Sequence, residues 1–436
     1  MAYKSSDGDN HTMSSSTYYT PSDNFEILHL LSFRRTKLHD AVLSPAKLRQ
    51  NCSLDHDRTT LTPPTSSTYP FPPGLGDLSA FLPLEIINEI LLFLDISSLL
   101  TFGQTNTTAL ATINALPEYR AIITHAPDVV RAYLATNLSS HTNTHQVFQA
   151  LTSKLCSYCN SFGAFIFLLE CRRVCWHCHT QDPELLPICR GLAAVSFGVS
   201  PEALAGLPAL RPVSGTYTLR GIHCSLARDP TPLVSRAAAR RLAVKIHGSE
   251  NAVGAFVGAQ RESQLSSYRI QRAVFNNIHT LPYSYPAVNN RAPSEPTYYA
   301  DKDNKDDDVR RYQGVAPLPV LNPRTGMLEH GVCCVGCDVA YSKAPTVAHY
   351  IPFGRVAWLR RKHEMFGEAG GFLEHFFRCE QARSIWEAWK EKGVVVPAPE
   401  GYGGGHGGGI EVYGEMLGLL QAQLTGAIAE GIVGGL

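Results

Sequence analysis

Residues 79–116 read SAFLPLEIINEILLFLDISSLLTFGQTNTTALATINAL, and they carry more apolar surface than a unit of that size can hide. Pro83 suits the first turn of a helix, where its missing N–H costs nothing, and Glu85 complements the positive end of the helix dipole. Ile87, Ile90, Leu91 and Leu94 then recur at helical spacing. Leu84, Ile86, Leu92 and Phe93 cover much of the remaining circumference, which only Glu85, Asn88 and Glu89 interrupt. Asp95 is a good N-cap for a short second helix over 97–102 that Gly103 ends, and Thr105 or Asn106 opens a third that runs to Pro117. Three such helices bury one stripe each in their own centre. The second face of the first helix needs another surface, at roughly 1.5 to 3 kcal/mol for each large apolar side chain kept from water. A partner would supply it; the plainer alternative is a buried hairpin covered by the rest of the chain.

Outward from this stretch, 436 residues suffice for two or three domains, and 44% hydrophobic content is that of a globular chain. Lys plus Arg equals Asp plus Glu at 38 each, so no global field directs the protein to nucleic acid or to a basic client. The opening MAYKSSDGDNHTMSSSTYY lacks an apolar signal region, and the best later run, GAFIFLL at 163–169, is too short to span a bilayer. The expected location is therefore the cytoplasm or nucleus. In that reducing setting twelve clustered cysteines point to metal rather than disulfides.

The most specific chemical signal is LCSYCNSFGAFIFLLECRRVCWHCHT at 155–180. Cys156 and Cys159 make one CxxC, Cys175 and Cys178 a second, with fifteen residues between them. Each CxxC turn aims two thiolates at one ion, and a hairpin through the apolar AFIFLL brings the two turns together for tetrahedral sulfur ligation, with Zn–S near about 2.3 Å. Four protein ligands leave no open position, so this zinc would be structural. Cys171, His177 and His179 are alternates.

A third CxxC, Cys334 and Cys337, follows a strand–turn–strand pattern at 315–340, with Cys333 adjacent. Its partners would be His375 and Cys379, four apart on one face of a helix that continues through Ala382, Trp386 and Trp389. This gives a CCHC site across a 37-residue insert, for which His349 and His363 are rival ligands.

The expected class is mainly α with small β elements. A disordered arm (1–76), with one apolar interlude FEILHLLSFRR, precedes a three-helix unit (77–126). A helical region with the four-cysteine site (127–285), an acidic and Pro-rich linker (286–312) and a second zinc-knuckle region (313–393) follow, then a Gly-rich spacer and tail helix (394–436). Arg236, Arg240, Arg241 and Lys245 make a basic helix, whose Ala237, Ala238, Leu242, Ala243 and Ile246 form a core stripe. That helix, with Arg172 and Arg173, carries the alternative of a zinc-stabilised nucleic-acid-binding or transcription-related protein. Hydrolase chemistry finds no support: HEMFG at 363–367 lacks the second His of HExxH, SFGV at 196–199 lacks the first Gly of a GxSxG elbow, and no phosphate-binding GxxxxGK[ST] loop occurs.

The run Leu82, Pro83, Glu85, Ile86, Ile90, Leu94, Asp95, Leu99 resembles the F-box pattern. With the LCSYC to VCWHC set and the later CCVGC and HFFRC, the chain looks like the zinc-containing F-box proteins of filamentous fungi over residues 79–392. The resemblance implies a non-catalytic substrate receptor of a cullin-based ubiquitin ligase. Leu82, Pro83, Ile86, Ile87, Ile90, Leu94 and Leu99 would bind the Skp-family adaptor, and through it the cullin scaffold, while the zinc-stabilised region presents an unknown protein client. No leucine-rich, propeller or kelch repeat follows to supply the usual client platform.

Overall fold

The computed structural model describes residues 20–35, 38–52, 75, 81–219, 222–226, 231–279, 293, 308–343, 361–368 and 370–392. The chain divides into two compact units that interleave in sequence: one draws on 1–33, 333–362 and 368–436, the other on 34–332 and 363–367. Among the described residues no helix is long and apolar enough to cross a membrane.

In the larger unit the quoted stretch forms helices Leu84–Phe93, Ile96–Gly103 and Thr107–Ala115. The first starts behind Pro83 without a side-chain cap, while the starts of the second and third are set by side chains that satisfy otherwise orphaned N–H groups. Asp95 Oδ1 accepts from Ser98 N at 2.9 Å, and Asn106 Oδ1 from Ala109 N at 2.8 Å. Pro117 and Pro127 open the next two helices, Pro117–His125 and Pro127–Ala135, and a reciprocal Asn143–Gln146 capping box opens Thr144–Thr152. The last of these packs on both the 84–93 and 117–125 helices. Buried Ile87, Leu91, Ile96, Leu99, Ile113, Tyr119, Ile122, Val147 and Leu151 form the shared interior.

A three-stranded antiparallel sheet follows. Phe165–Phe167 lies between its hairpin partner Arg172–Val174 and the sequence-distant Val315–Pro317, with Ile166 opposite Arg173 on one side and Ala316 on the other. A second small sheet, Pro187–Cys189 and Ala209–Leu210 flanking Leu233–Ser235, carries helices Arg190–Phe197, Arg236–His247 and the start of Glu250–His279. Ile188, Leu192, Phe197, Val234, Ala239, Ala243, Val253 and Val257 pack together there.

The smaller unit pairs strand Ser32–Phe33 with Cys333–Cys334 and packs helices Pro21–Leu31, Val335–Lys343, Gly371–Arg378 and Glu380–Lys392. Gly336 permits a tight helix contact, because a Cβ there would lie 2.4 Å from Ala382 N.

Four expectations change. The arm is folded over Thr20–Arg35 and Leu38–Cys52: Pro21–Leu31 buries Ile27, Leu28 and Leu31, while Leu43 and Leu48 are sealed in the larger unit, where helix Pro45–Asn51 packs on 127–135. The Ser, Thr and Pro average over 76 residues conceals these short apolar runs; the remaining arm, the Gly-rich spacer, the tail helix and His349 lie outside the described residues. The linker's end is also folded, since helix Val309–Gln313 buries Arg311 and Tyr312. Residues 315–332 belong with the first cysteine set rather than the second, because strand addition to the Phe165 sheet outweighs sequence proximity. The basic helix buries Ala239 and Ala243, leaving Ile246 exposed, so its inner stripe is rotated from the expected one.

Candidate metal centres and docking ridge

The first cysteine pair sits on a tight turn. Cys156 N donates to Ser161 O (2.7 Å), Asn160 N donates to Cys156 O (3.0 Å), and Asn160 takes the left-handed conformation at φ 59°, which Asn tolerates better than most residues. The second pair follows strand Arg172–Val174 directly: Cys175 caps helix Trp176–Gln181, its Sγ accepting from Cys178 N at 3.4 Å. Ser157 N donates to Arg173 O (2.9 Å), which ties the two turns together. The four sulfurs lie within 4.8 Å of one another, with Cys159 and Cys175 3.5 Å apart. Tetrahedral metal–sulfur bonds of about 2.3 Å require sulfurs about 3.8 Å apart, so the set fits one ion. Hydrogen bonding from Cys175 lowers the Cys156 thiol to about 4, and burial pushes Cys178 up to about 12.

The second set gathers Cys334 at a strand end, Cys337 in the first turn of helix Val335–Lys343, His375 on helix Gly371–Arg378, and Cys379. Cys379 lies 3.9 Å from Cys334 and 3.8 Å from Cys337, sulfur to sulfur, and His375 Nε2 is 3.4 Å from Cys337 Sγ. Hydrogen bonds from Cys334 and Cys337 hold the Cys379 thiol well below its usual range. One expectation fails in detail. His375 and Cys379 do not share a continuous helix: Cys379 ends the first helix in an extended conformation (φ −96°, ψ 98°), and a new helix starts at Glu380. The break turns the sulfur toward the CxxC knuckle.

None of the alternates among the described residues joins either set. Cys171 occupies the hairpin turn at φ 51°, Cys333 is buried on its strand, and His179 is buried against Trp176 and Tyr312, its pKa lowered by burial to about 3. His363 packs near Trp176, ring centroids 5.9 Å apart.

The first helix of the bundle buries Ile87, Leu91 and Leu92, while Ile86 (47%), Ile90 (46%) and Phe93 (60%) stay exposed at i, i+4, i+7. Phe81 and Leu84, at the start of the helix, are exposed as well, with Leu84 turned about half a turn away from that ridge; Leu82 and Leu94 are half-buried, and Pro83 is exposed. Ile87 and Leu99, expected to touch a partner, are instead sealed inside the bundle, whereas Ile90, named with them, is exposed. Phe81 was missed, although it immediately precedes the Leu82–Pro83 start.

Four of the arginines that would have contacted phosphate are otherwise engaged. Arg173 is buried, Arg240 pairs with Glu184 and Glu250, and Arg241 and Arg172 pair with Glu170.

A model of the F-box domain matches residues 81–120, the span that contains the ridge and the three helices. No curated protein and no solved structure matches the chain. Residues 81–120 are therefore an F-box domain, carried on a mostly helical chain whose Cys156/Cys159/Cys175/Cys178 and Cys334/Cys337/His375/Cys379 clusters could each hold a metal ion.

Proposed function

We propose that the protein is a substrate-receptor subunit of a Skp/cullin/F-box ubiquitin ligase, working in the cytoplasm or nucleus. The observation that carries this is the F-box match lying on a helix whose Ile86, Ile90 and Phe93 remain uncovered. F-box domains generally bind Skp-type adaptors, and three half-exposed apolar side chains in line supply the buried anchors of such an interface. The cullin scaffold would be reached through that adaptor. The α+β region and the smaller unit are left to engage a protein client.

The metal in both clusters is read as zinc. Four thiolates, or three thiolates and one imidazole, at tetrahedral spacing suit that ion, and ligands supplied wholly by the protein give it a structural task. In this reading ubiquitin transfer would belong to the partners.

The test is reconstitution with a purified Skp-family adaptor. Ile86→Asp and Ile90→Asp together should lower adaptor affinity by about 100-fold, the scale of a two-residue hot spot, while the variant melts like the parent. Unchanged adaptor binding would remove the proposal's basis.

A further inference from the structure

Arg173 is 2% exposed, yet every hydrogen-bond partner of its guanidinium is a backbone carbonyl. Nε donates to Ala150 O at 2.9 Å and Nη2 to Leu151 O at 3.4 Å, two carbonyls in the last turn of helix Thr144–Thr152. Nη1 donates to Gly163 O and to Leu318 O (2.9 Å), and Nη2 also to Pro319 O (2.6 Å). One side chain therefore joins the helix that backs the F-box, the loop after the first CxxC and the segment that follows the closing strand Val315–Pro317.

A cation at a helix C-terminus is favourable, since the last-turn carbonyls lack intrahelical donors and carry the negative end of the dipole. A buried guanidinium without a carboxylate is costly, however. It stays in place because its backbone is held. Arg173 pairs with Ile166 in the sheet, accepts from Ser157 N inside the first CxxC turn, and stands two residues before Cys175. Gly163 leaves the passage open, as a Cβ there would lie 2.5 Å from Arg173 Cγ. What positions this residue is the closure of the two CxxC turns on each other.

We propose that Arg173 is a positioning residue that couples metal loading at Cys156/Cys159/Cys175/Cys178 to the seating of helix 144–152 against the F-box helix 84–93. Loss of the ion frees the CxxC turns, the guanidinium loses its fixed frame, and the 144–152 helix loosens from its C-terminal end. The F-box then loses its backing while the 186–257 apolar cluster, which shares no hydrogen bond with Arg173, keeps its packing.

This rests on the first cluster holding zinc, which metal analysis of the intact chain tests separately: absence of metal overturns both readings, whereas metal without coupling overturns only this one. The deciding measurement is amide hydrogen exchange on the full chain, comparing the parent with Cys159→Ser, which removes one ligand of the first cluster, and with Arg173→Met. In Cys159→Ser the amides of 147–153 should exchange about tenfold faster, with those of Ala193, Phe197, Ala239 and Ala243 unchanged. Arg173→Met should show the same local acceleration while retaining its full metal content. Unchanged protection at 147–153 in either variant overturns the proposal, as does equal loss throughout the unit. Should Arg173→Met prove insoluble, stepwise chelation of the parent decides alone: protection at 147–153 must fall with the first cluster's metal and ahead of the 186–257 cluster.

Discussion

Asp23 shows how a single side chain joins segments far apart in sequence. Its carboxylate accepts from Thr20 N at the start of helix Pro21–Leu31 and from Lys390 Nζ at 2.6 Å. Lys390, followed by Thr20, lowers its pKa from 3.8 to about 2. The folded value is the depressed one, so any stabilisation it gives is complete above the ordinary carboxylate range and is lost as pH falls through about 2. Carbon-detected NMR titration should find Asp23 returning toward its ordinary pKa in Lys390→Met. No shift on that substitution would mean that the contact is not populated in solution. The cysteines, by contrast, were readable residue by residue. CxxC spacing names its own ligands because only a tight turn puts two thiols on one ion, and both quartets assemble from the expected eight residues. What spacing could not reveal was the broken helix at Cys379, since a helical i, i+4 pair and a capping residue look alike in sequence.

At the scale of elements, the F-box helices were legible because polar caps punctuate them. Asp95 and Asn106 sit where the apolar period restarts, and both cap as expected. The orientation of the first helix was less so: when nearly every position is apolar, periodicity cannot tell inside from outside, and of Ile87 and Ile90, both expected to meet the adaptor, only Ile90 is exposed. The two residues should therefore respond in opposite ways. Ile87→Ala removes a buried side chain and should destabilise the larger unit by about 2 to 5 kcal/mol in urea melts. Ile90→Ala should change stability by no more than about 0.5 kcal/mol while weakening adaptor binding. Equal destabilisation by the two would show that the ridge is sealed in solution. Arg173 lay beyond any pattern, because a lone Arg beside another Arg reads as surface charge; its burial follows only from the strand register that points it inward.

Over the whole molecule, sequence order proved a poor guide to grouping. Composition suggested an arm, a body, a linker and a second region in succession, yet Pro21–Leu31 shares a unit with Glu380–Lys392, and Val315–Pro317 with Phe165–Phe167. Long-range pairing of this kind leaves no local signature, because each partner strand spans only three residues. Metal stoichiometry should expose the arrangement. Native mass spectrometry should find two ions on the parent, one on Cys159→Ser and one on Cys337→Ser, each loss confined to its own unit. If either substitution emptied both clusters, the two sites would be linked through folding rather than independent.

The placement of Val315–Pro317 also bears on how the chain is made. During synthesis the Phe165–Phe167 edge must wait for about 150 further residues, on the order of ten or more seconds at typical elongation rates, before its last neighbour leaves the ribosome. Throughout that interval one side of a buried apolar strand lacks its partner, so the hairpin and its two knuckles must hold together on their own until the missing edge arrives.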